Sequence, residues 1–499
     1  MLYAVFSEQK ERNELFTTHH SLFTFLPFYA KITNMNIIKI NDNSNKLFYI
    51  GGVVRDELLG RESLDVDITY VGNAIEYCSK FGEVVQVNPD FGTVRVAIPP
   101  LLEITDFGQT WLFAVNGSTE CSAGSTPTCA SSALSSQSTP ASGGHKVSEK
   151  MYVDFASTRS ESYPKKGHLP VVEKIGCSLR EDVMRRDFTI NALAKSVTTG
   201  EIVDYVGGLE DLKNKKLRVL HDESFIDDPT RIIRGLKFAT RFGFELEEHT
   251  KKLQDEYLAN INYDMSYKRV KKELIETFQP YYTPHPSYGH PAWLFAVNGS
   301  TECSAGSTPT CASSALSSQS ALPVGARGGV TFQKFIDQKI YKLVTPNNVE
   351  IPKVDIENLV TTYLAAQPPS YTVALWLIYV GILGDLSRLP LTKIEQKILD
   401  DVPKEILKTD FELYKTFQNT RIETVLLYAI TKDETGARHY LDDLREIKLD
   451  ITGKDLQTLG IKPSPKYQVI FDEVLKAKLQ NPKMTKTDEI EIAKKYLSD

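Results

Sequence analysis

The sequence predicts an α+β protein: a small mixed sheet with helices forms the N-terminal part, and helices alone make up the rest. Three observations lead there. Residues 46–60, KLFYIGGVVRDELLG, read as a short apolar strand, a Gly-Gly turn and a helix. Leu64-Asp65-Val66-Asp67-Ile68 alternates apolar and acidic residues at the period of two that marks a strand. Further on, Ile232, Ile233, Leu236 and Ala239 recur at the helical period and share one face. The strand-bearing portion runs from about 36 to 205 and the helical portion from there to the end.

A chain of 499 residues exceeds what one core sustains and implies two to four domains. Hydrophobic residues at 41% and charged residues at 24% are globular values, which exclude wholesale disorder. The formal net charge of -6 announces no nucleic-acid partner, yet phosphate binding needs only a local basic surface. No apolar run reaches the roughly 18 residues of a membrane-spanning helix. Residues 1–34 read as an N-terminal extension, from an over-called start, because Met35 immediately precedes strand-like sequence.

Residues 111–138 and 293–320 are identical, WLFAVNGSTECSAGSTPTCASSALSSQS. Architectural repeats diverge and recur at a short fixed period. Two perfect copies far apart point instead to one genetic element inserted twice. Their Ser, Thr, Ala and Gly content cannot offset the entropy of ordering, so flexible excursions at about 100–150 and 280–330 are expected. Four of the six cysteines, Cys121, Cys129, Cys303 and Cys311, lie in these copies. Cys78 and Cys177 remain, without CxxC spacing, so a disulfide framework and a zinc site are not expected and a reducing, cytoplasmic location is.

Each element carries a chemical suggestion. Gly51 and Gly52 allow backbone N–H groups to approach a phosphate closely, and the following helix N-terminus favours negative charge. Asp65 and Asp67, two apart on a strand, place both carboxylates on one face, where they repel unless a cation lies between them. Magnesium, which takes hard oxygen ligands, is the expected ion. Asp154 in Met151-Tyr152-Val153-Asp154-Phe155 is an acid on a plausible neighbouring strand. Asp228 before Pro229 reads as a helix N-cap with proline at the first helical position. Arg231, Arg234, Lys237 and Arg241 form a basic stripe on that helix, expected to be solvated.

The run Gly51-Gly52-Val53-Val54-Arg55-Asp56, Leu59-Gly60-Arg61 and Asp65-Val66-Asp67 resembles the first motif of class II CCA-adding tRNA nucleotidyltransferases and poly(A) polymerases. Arg185-Arg186-Asp187-Phe188-Thr189-Ile190-Asn191-Ala192 is similar to the family's RRDFTxNA motif, and Asp227-Asp228-Pro229-Thr230-Arg231 to its EDxxR motif. The resemblance implies a polymerase β-type nucleotidyltransferase head over 35–205. An all-α neck over 206–279 and a body and tail over 331–499 would follow.

It also implies roles. Asp65 and Asp67 would hold metal with Asp154 in support, and Gly51, Gly52 and Arg55 would position the triphosphate. Arg186, Asp187 and Asn191 would meet ribose and phosphates. Asp228 and Arg231 would read the Watson–Crick edge of C or A, with Asp227 and Arg234 beside them. If Asp228 turns back to cap its own helix, base reading falls to Arg231 and Asp227.

The segment between Arg159 and Arg180 occupies the place of the family's flexible loop, whose presence favours CCA or A addition. Lys213, Lys215, Lys216 and Arg218, and Lys268, Arg269, Lys271 and Lys272, are further candidates for RNA phosphates. Ile451-Thr452-Gly453-Lys454-Asp455-Leu456 and Ile461-Lys462-Pro463-Ser464-Pro465 resemble the family's tail, with Ser464 where glycine is usual. The implied activity is template-independent addition of CMP, CMP and AMP to the tRNA 3′ end from CTP and ATP. The alternatives are A-only or poly(A) addition, or an RNA-binding relic inactivated by the insertions. Oligomeric state is not legible.

Overall fold

The computed structural model describes residues 44–61, 67–98, 101–106, 109–114, 151–278, 324–364 and 373–497, with backbone alone at 101–106, 109–114 and the borders of some segments. Two compact units emerge. Of the described residues, the first holds those up to Ser162 and Pro170–Asn214, and the second holds Tyr163–Leu169 and those from Lys215 onward.

The first unit is built on β1 (Leu47–Ile50), α1 (Gly52–Leu58), β2 (Asp67–Tyr70), α2 (Ala74–Cys78), β3 (Glu83–Asn88) and β4 (Thr93–Ile98). Next come the hairpin β5 (Leu101–Asp106) and β6 (Gln109–Ala114), then β7 (Met151–Ser157) and the hairpin β8 (Arg159–Ser162) and β9 (Val171–Ile175). It closes with α3 (Leu179–Met184), β10 (Ala194–Ser196), β11 (Ile202–Val203) and α4 (Gly208–Lys213). Seven strands form one mixed sheet in the order β11-β10-β1-β2-β7-β4-β3. Only β2 and β7 run parallel. The expected small mixed sheet is present.

Alternation of side chains divides this sheet into two faces. Ile68, Val94, Val96, Val153 and Phe155 are all within 1% of complete burial and form the core face. Helix α2 packs there against β4 and β7, its Asn73 cap accepting from the Glu76 amide. The opposite face carries Asp67, Arg95, Tyr152 and Asp154, all partly or fully exposed. Helix α3 begins at a capping box in which Ser178 and Glu181 satisfy each other's amides.

The first repeat copy is not wholly irregular: its Trp111–Ala114 lies in β6, paired with β5. The remainder of that copy and all of the second lie outside the described residues, so the flexibility expected of them is not addressed. Among the described residues Cys78 and Cys177 are both buried. No helix among them is long and apolar enough to cross a membrane.

The second unit carries a short parallel bridge between β12 (Lys216–Leu217) and β13 (Glu245–Leu246), and otherwise helices. Its first helices are α5 (Ser224–Asp227), α6 (Thr230–Phe242), α7 (Glu248–Ala259), α8 (Tyr267–Phe278) and α9 (Val324–Asp337). Ile232, Ile233, Leu236 and Ala239 are buried together on α6, as the helical period predicts. That face packs on α8 and α9, where Phe278 lies edge-on to Phe335 at 5.4 Å.

The cap of α6 differs by one residue from the expectation: Pro229 is the N-cap and Asp228 precedes it in extended conformation. Asp228 still accepts from the Thr230 amide at 3.1 Å, so its carboxylate does turn back onto the helix start.

Helices α10 (Ile356–Leu364), α11 (Leu375–Gly381), α12 (Lys393–Asp400), α13 (Asp410–Phe417), α14 (Ile422–Thr431) and α15 (Glu434–His439) continue the core. The C-terminal α16 (Gly453–Thr458), α17 (Lys466–Gln480) and α18 (Lys486–Lys494) gather Ile451, Leu456, Ile470, Val474 and Ala493 into one cluster. Beside it Glu489, fully buried, accepts from the Asp450 and Ile451 amides and from Lys478 at 2.6 Å.

Candidate nucleotide-binding and catalytic site

In the first unit the site grows from one end of the sheet. β1 ends at Ile50 and β2 begins at Asp67, one step past the Tyr49–Ile68 pair, so the Gly51 turn and Asp67 share that end. Across the parallel β2–β7 ladder Asp67 is in register with Asp154, which puts both carboxylates on the open face. Asp65 lies outside the described residues.

Arg95, which the sequence reading missed, is in register with Asp154 from the other side. Its Nε donates to Oδ1 at 2.7 Å and its Nη2 to Oδ2 at 2.5 Å. The available signal was the alternation Thr93-Val94-Arg95-Val96, which places Arg95 on the face opposite two buried valines.

Gly51 has φ 72° and ψ -121°, a backbone that only glycine adopts freely. A Cβ there would stand 2.9 Å from Nη1 of Arg186. The turn therefore lets a guanidinium lie directly against backbone. Gly51 gives its own N–H to Leu193 O, so it is the first-turn amides of α1, beginning at Gly52, that have no intrahelical acceptor.

Beneath the turn runs a buried polar network. Arg55 donates from Nε to Asp56 at 2.9 Å and from Nη1 to Oδ1 of Asn191. Asn191 Nδ2 donates to Asp187 Oδ1 at 3.0 Å, and that oxygen also accepts the Phe188 amide. Arg55, Asp187 and Asn191 are thus brought together as a framework of mutual hydrogen bonds with little exposed surface.

Arg186 is anchored by Asp182, a residue the sequence reading passed over. Burial alone would raise the Asp182 pKa; Arg186 and Arg185, with the Arg159 amide, outweigh it and hold the carboxyl below its usual range. Burial in turn lowers the Arg186 pKa below its ordinary value, and Arg185 adds to this against the pull of Asp182 and Asp67. An arginine so placed stays cationic at neutral pH and gains from an added anion. Its Nε is buried with no hydrogen-bond partner.

A second cluster lies within the helical unit. Arg231, 3% exposed, donates Nη1 to Ser224 Oγ at 2.6 Å and Nη2 to the Tyr163 hydroxyl at 3.3 Å. His221 Nε2 is 3.5 Å from the same Nη1. Burial and then Arg231 lower the His221 pKa, which favours the neutral ring beside the guanidinium. Asp227 accepts from Lys166 Nζ, which also reaches Glu223 at 2.7 Å.

Asp228 is committed to Thr230 and to an ion pair with Arg269. Of the basic stripe, Arg241 is exposed and Arg231 is buried, while Arg234 and Lys237 pair with Glu273 at 3.3 and 2.9 Å. Of the expected phosphate-tracking bases, Lys271 instead pairs with Glu395 in a largely buried position.

Hard carboxylate oxygens at Asp67 and Asp154 suit a divalent ion such as magnesium. Among the described residues no set of three or more such ligands gathers, and Asp65 lies outside them.

The chain is similar to several known proteins. The family described as the poly A polymerase head domain matches residues 47–111 and 110–218. An A-adding tRNA nucleotidyltransferase of Aquifex aeolicus is 38% identical over 42% of this chain and 20% of its own length. Another, from Geobacter sulfurreducens, is 26% identical over 90% of this chain and 44% of its own. The chain thus spans less than half the length of these two relatives. A solved CCA-adding enzyme in an apo form shares the fold, with TM-score 0.61 at 20% identity over 91% of both chains. Residues 47–218 thus match the poly A polymerase head domain family, and the chain shares its fold with a solved CCA-adding enzyme.

Proposed function

We propose that the protein is a magnesium-dependent enzyme that adds CMP, CMP and AMP to the 3′ end of tRNA, using CTP and ATP. One observation carries this reading: the in-register Asp67–Asp154 pair shares its end of the sheet with the Gly51 turn, against which Arg186 lies. Asp65, Asp67 and Asp154 would hold the metal. When bound, two magnesium ions would supply the charge that acidifies the tRNA 3′-hydroxyl and neutralises the departing pyrophosphate.

The chain's own residues do the rest. Arg186 and the amides that follow Gly51 receive the triphosphate, and Arg55, Asp187 and Asn191 hold that turn from beneath. Arg231 and Asp227 supply fixed donors and an acceptor for the amino group and ring nitrogens shared by C and A. Tyr163, Ser224 and His221 keep the Arg231 guanidinium in one orientation.

Incorporation of labelled CTP and ATP, separately and together, on tRNA lacking its 3′ CCA tests the proposal. CMP addition followed by AMP is expected. A second reading, A-only addition, is favoured by the names of the Aquifex and Geobacter relatives. It predicts AMP transfer only to tRNA already ending in CC. Absence of any incorporation would refute both.

A further inference from the structure

We propose that Arg95 is a resident counter-ion of the catalytic face, which occupies Asp154 while no metal is bound and competes with the metal for it. The inference rests on the metal-binding role proposed above for Asp67 and Asp154, and it assigns to Arg95 a positioning role in that site.

Like charges directly opposite on neighbouring strands destabilise a sheet. Asp67 and Asp154 are such a pair. Arg95 meets the second of them with both prongs of its fork, one to each carboxylate oxygen. The pair is nearly half exposed, with side-chain exposures of 46% and 44%. At that exposure an ion pair adds little to fold stability. Its geometry nevertheless fixes the carboxylate plane and covers one lone-pair direction on each oxygen.

A divalent ion arriving between Asp67 and Asp154 meets a ligand already engaged and a unit positive charge one strand away. Arg95 therefore weakens metal binding while orienting Asp154, and removing its charge should tighten binding. Repulsion between a unit charge and a dication across roughly 8 Å of water-like medium corresponds to about three- to tenfold in affinity.

Binding of Mn2+ alone to the full chain, followed by the loss of the free-ion resonance, tests this without reference to activity. Arg95→Met is expected to lower the Mn2+ dissociation constant about three- to tenfold. Arg95→Lys, which keeps the charge, should stay near the parent value. In an Asp154→Asn background, where no carboxylate is left to contest, Arg95→Met should bring a smaller gain than in the parent, which assigns the difference to this pair. Circular dichroism establishes that each variant is folded. Unchanged or weaker binding in folded Arg95→Met, or a gain equally large in the Asp154→Asn background, would overturn the proposal. Unaltered binding in Asp67→Asn would instead overturn the metal-site reading beneath it.

Discussion

Replacing Gly51 by alanine probes the junction on which the head site depends. The backbone there has φ 72° and ψ -121°, a region closed to residues with a Cβ. Holding alanine in it costs about 1–3 kcal/mol. The new methyl would stand 2.9 Å from Arg186 Nη1 and 3.4 Å from the Asn191 carbonyl oxygen. The first contact is with the far end of a side chain whose own bonds are long, 3.5 Å to Asn191 O and 3.4 Å to Asp182. Arg186 can therefore yield at small energetic cost, and backbone strain dominates the loss of stability.

The functional consequence should be larger than the energetic one, because Arg186 is the cation proposed above to receive the triphosphate. Gly51→Ala should lose about 1–3 kcal/mol in urea denaturation and at least tenfold in CTP affinity. Gly200→Ala is the matched control: φ is also 72°, but the nearest atom to the added carbon is Lys195 Cε at 3.9 Å. It should show the strain without the loss of CTP binding. Parent-like stability and CTP affinity in Gly51→Ala would refute the reasoning.

Other predictions test separate parts. Asp67→Asn and Asp154→Asn should each lower nucleotide incorporation by at least a hundredfold with tRNA binding retained, as gel-shift and primer-extension assays would show. Arg231→Lys keeps the charge but loses the planar fork held by Ser224 and Tyr163, so misincorporation of UTP and GTP should rise in single-nucleotide competition assays.

Glu489→Ala would strand the Asp450 and Ile451 amides and remove a partner of Lys478. About 3 kcal/mol should be lost in denaturant unfolding. Finally, His439 has a raised pKa, first from its hydrogen bond to Asp443 and also from Asp410. A His whose folded pKa lies above its unfolded value adds stability below about pH 6.5 that is lost as pH rises through the folded pKa. His439→Gln should flatten that part of the stability-pH profile, and an unaltered profile would discount the pair.

Much of this protein could be read from residue spacing, because the relevant interactions are local. The period of two in Val94-Arg95-Val96 and in Val153-Asp154-Phe155 sorts each strand into a core face and an open face before any partner is known. The Gly-Gly turn, the acids and the RRDFTxNA run carry the family resemblance in one dimension. Likewise Ile232, Ile233, Leu236 and Ala239 define a buried helix face through the helical period alone.

Pairing between distant segments was decided only by the tertiary structure. That Asp67 stands opposite Asp154, and Asp154 opposite Arg95, depends on strand order and register, which no single segment contains. Asp182 became the anchor of Arg186 because folding buried it among arginines. The basic stripe of α6 looked solvated because its partners Glu273 and Glu276 lie about forty positions on in sequence, on α8. Asp228 carries the same lesson: a carboxylate before Pro-Thr has a local acceptor role available to it, and the fold supplied Arg269 to hold it there. Side-chain type and spacing set what each residue is able to do, while which neighbour neutralises or competes for it is a property of the packed chain.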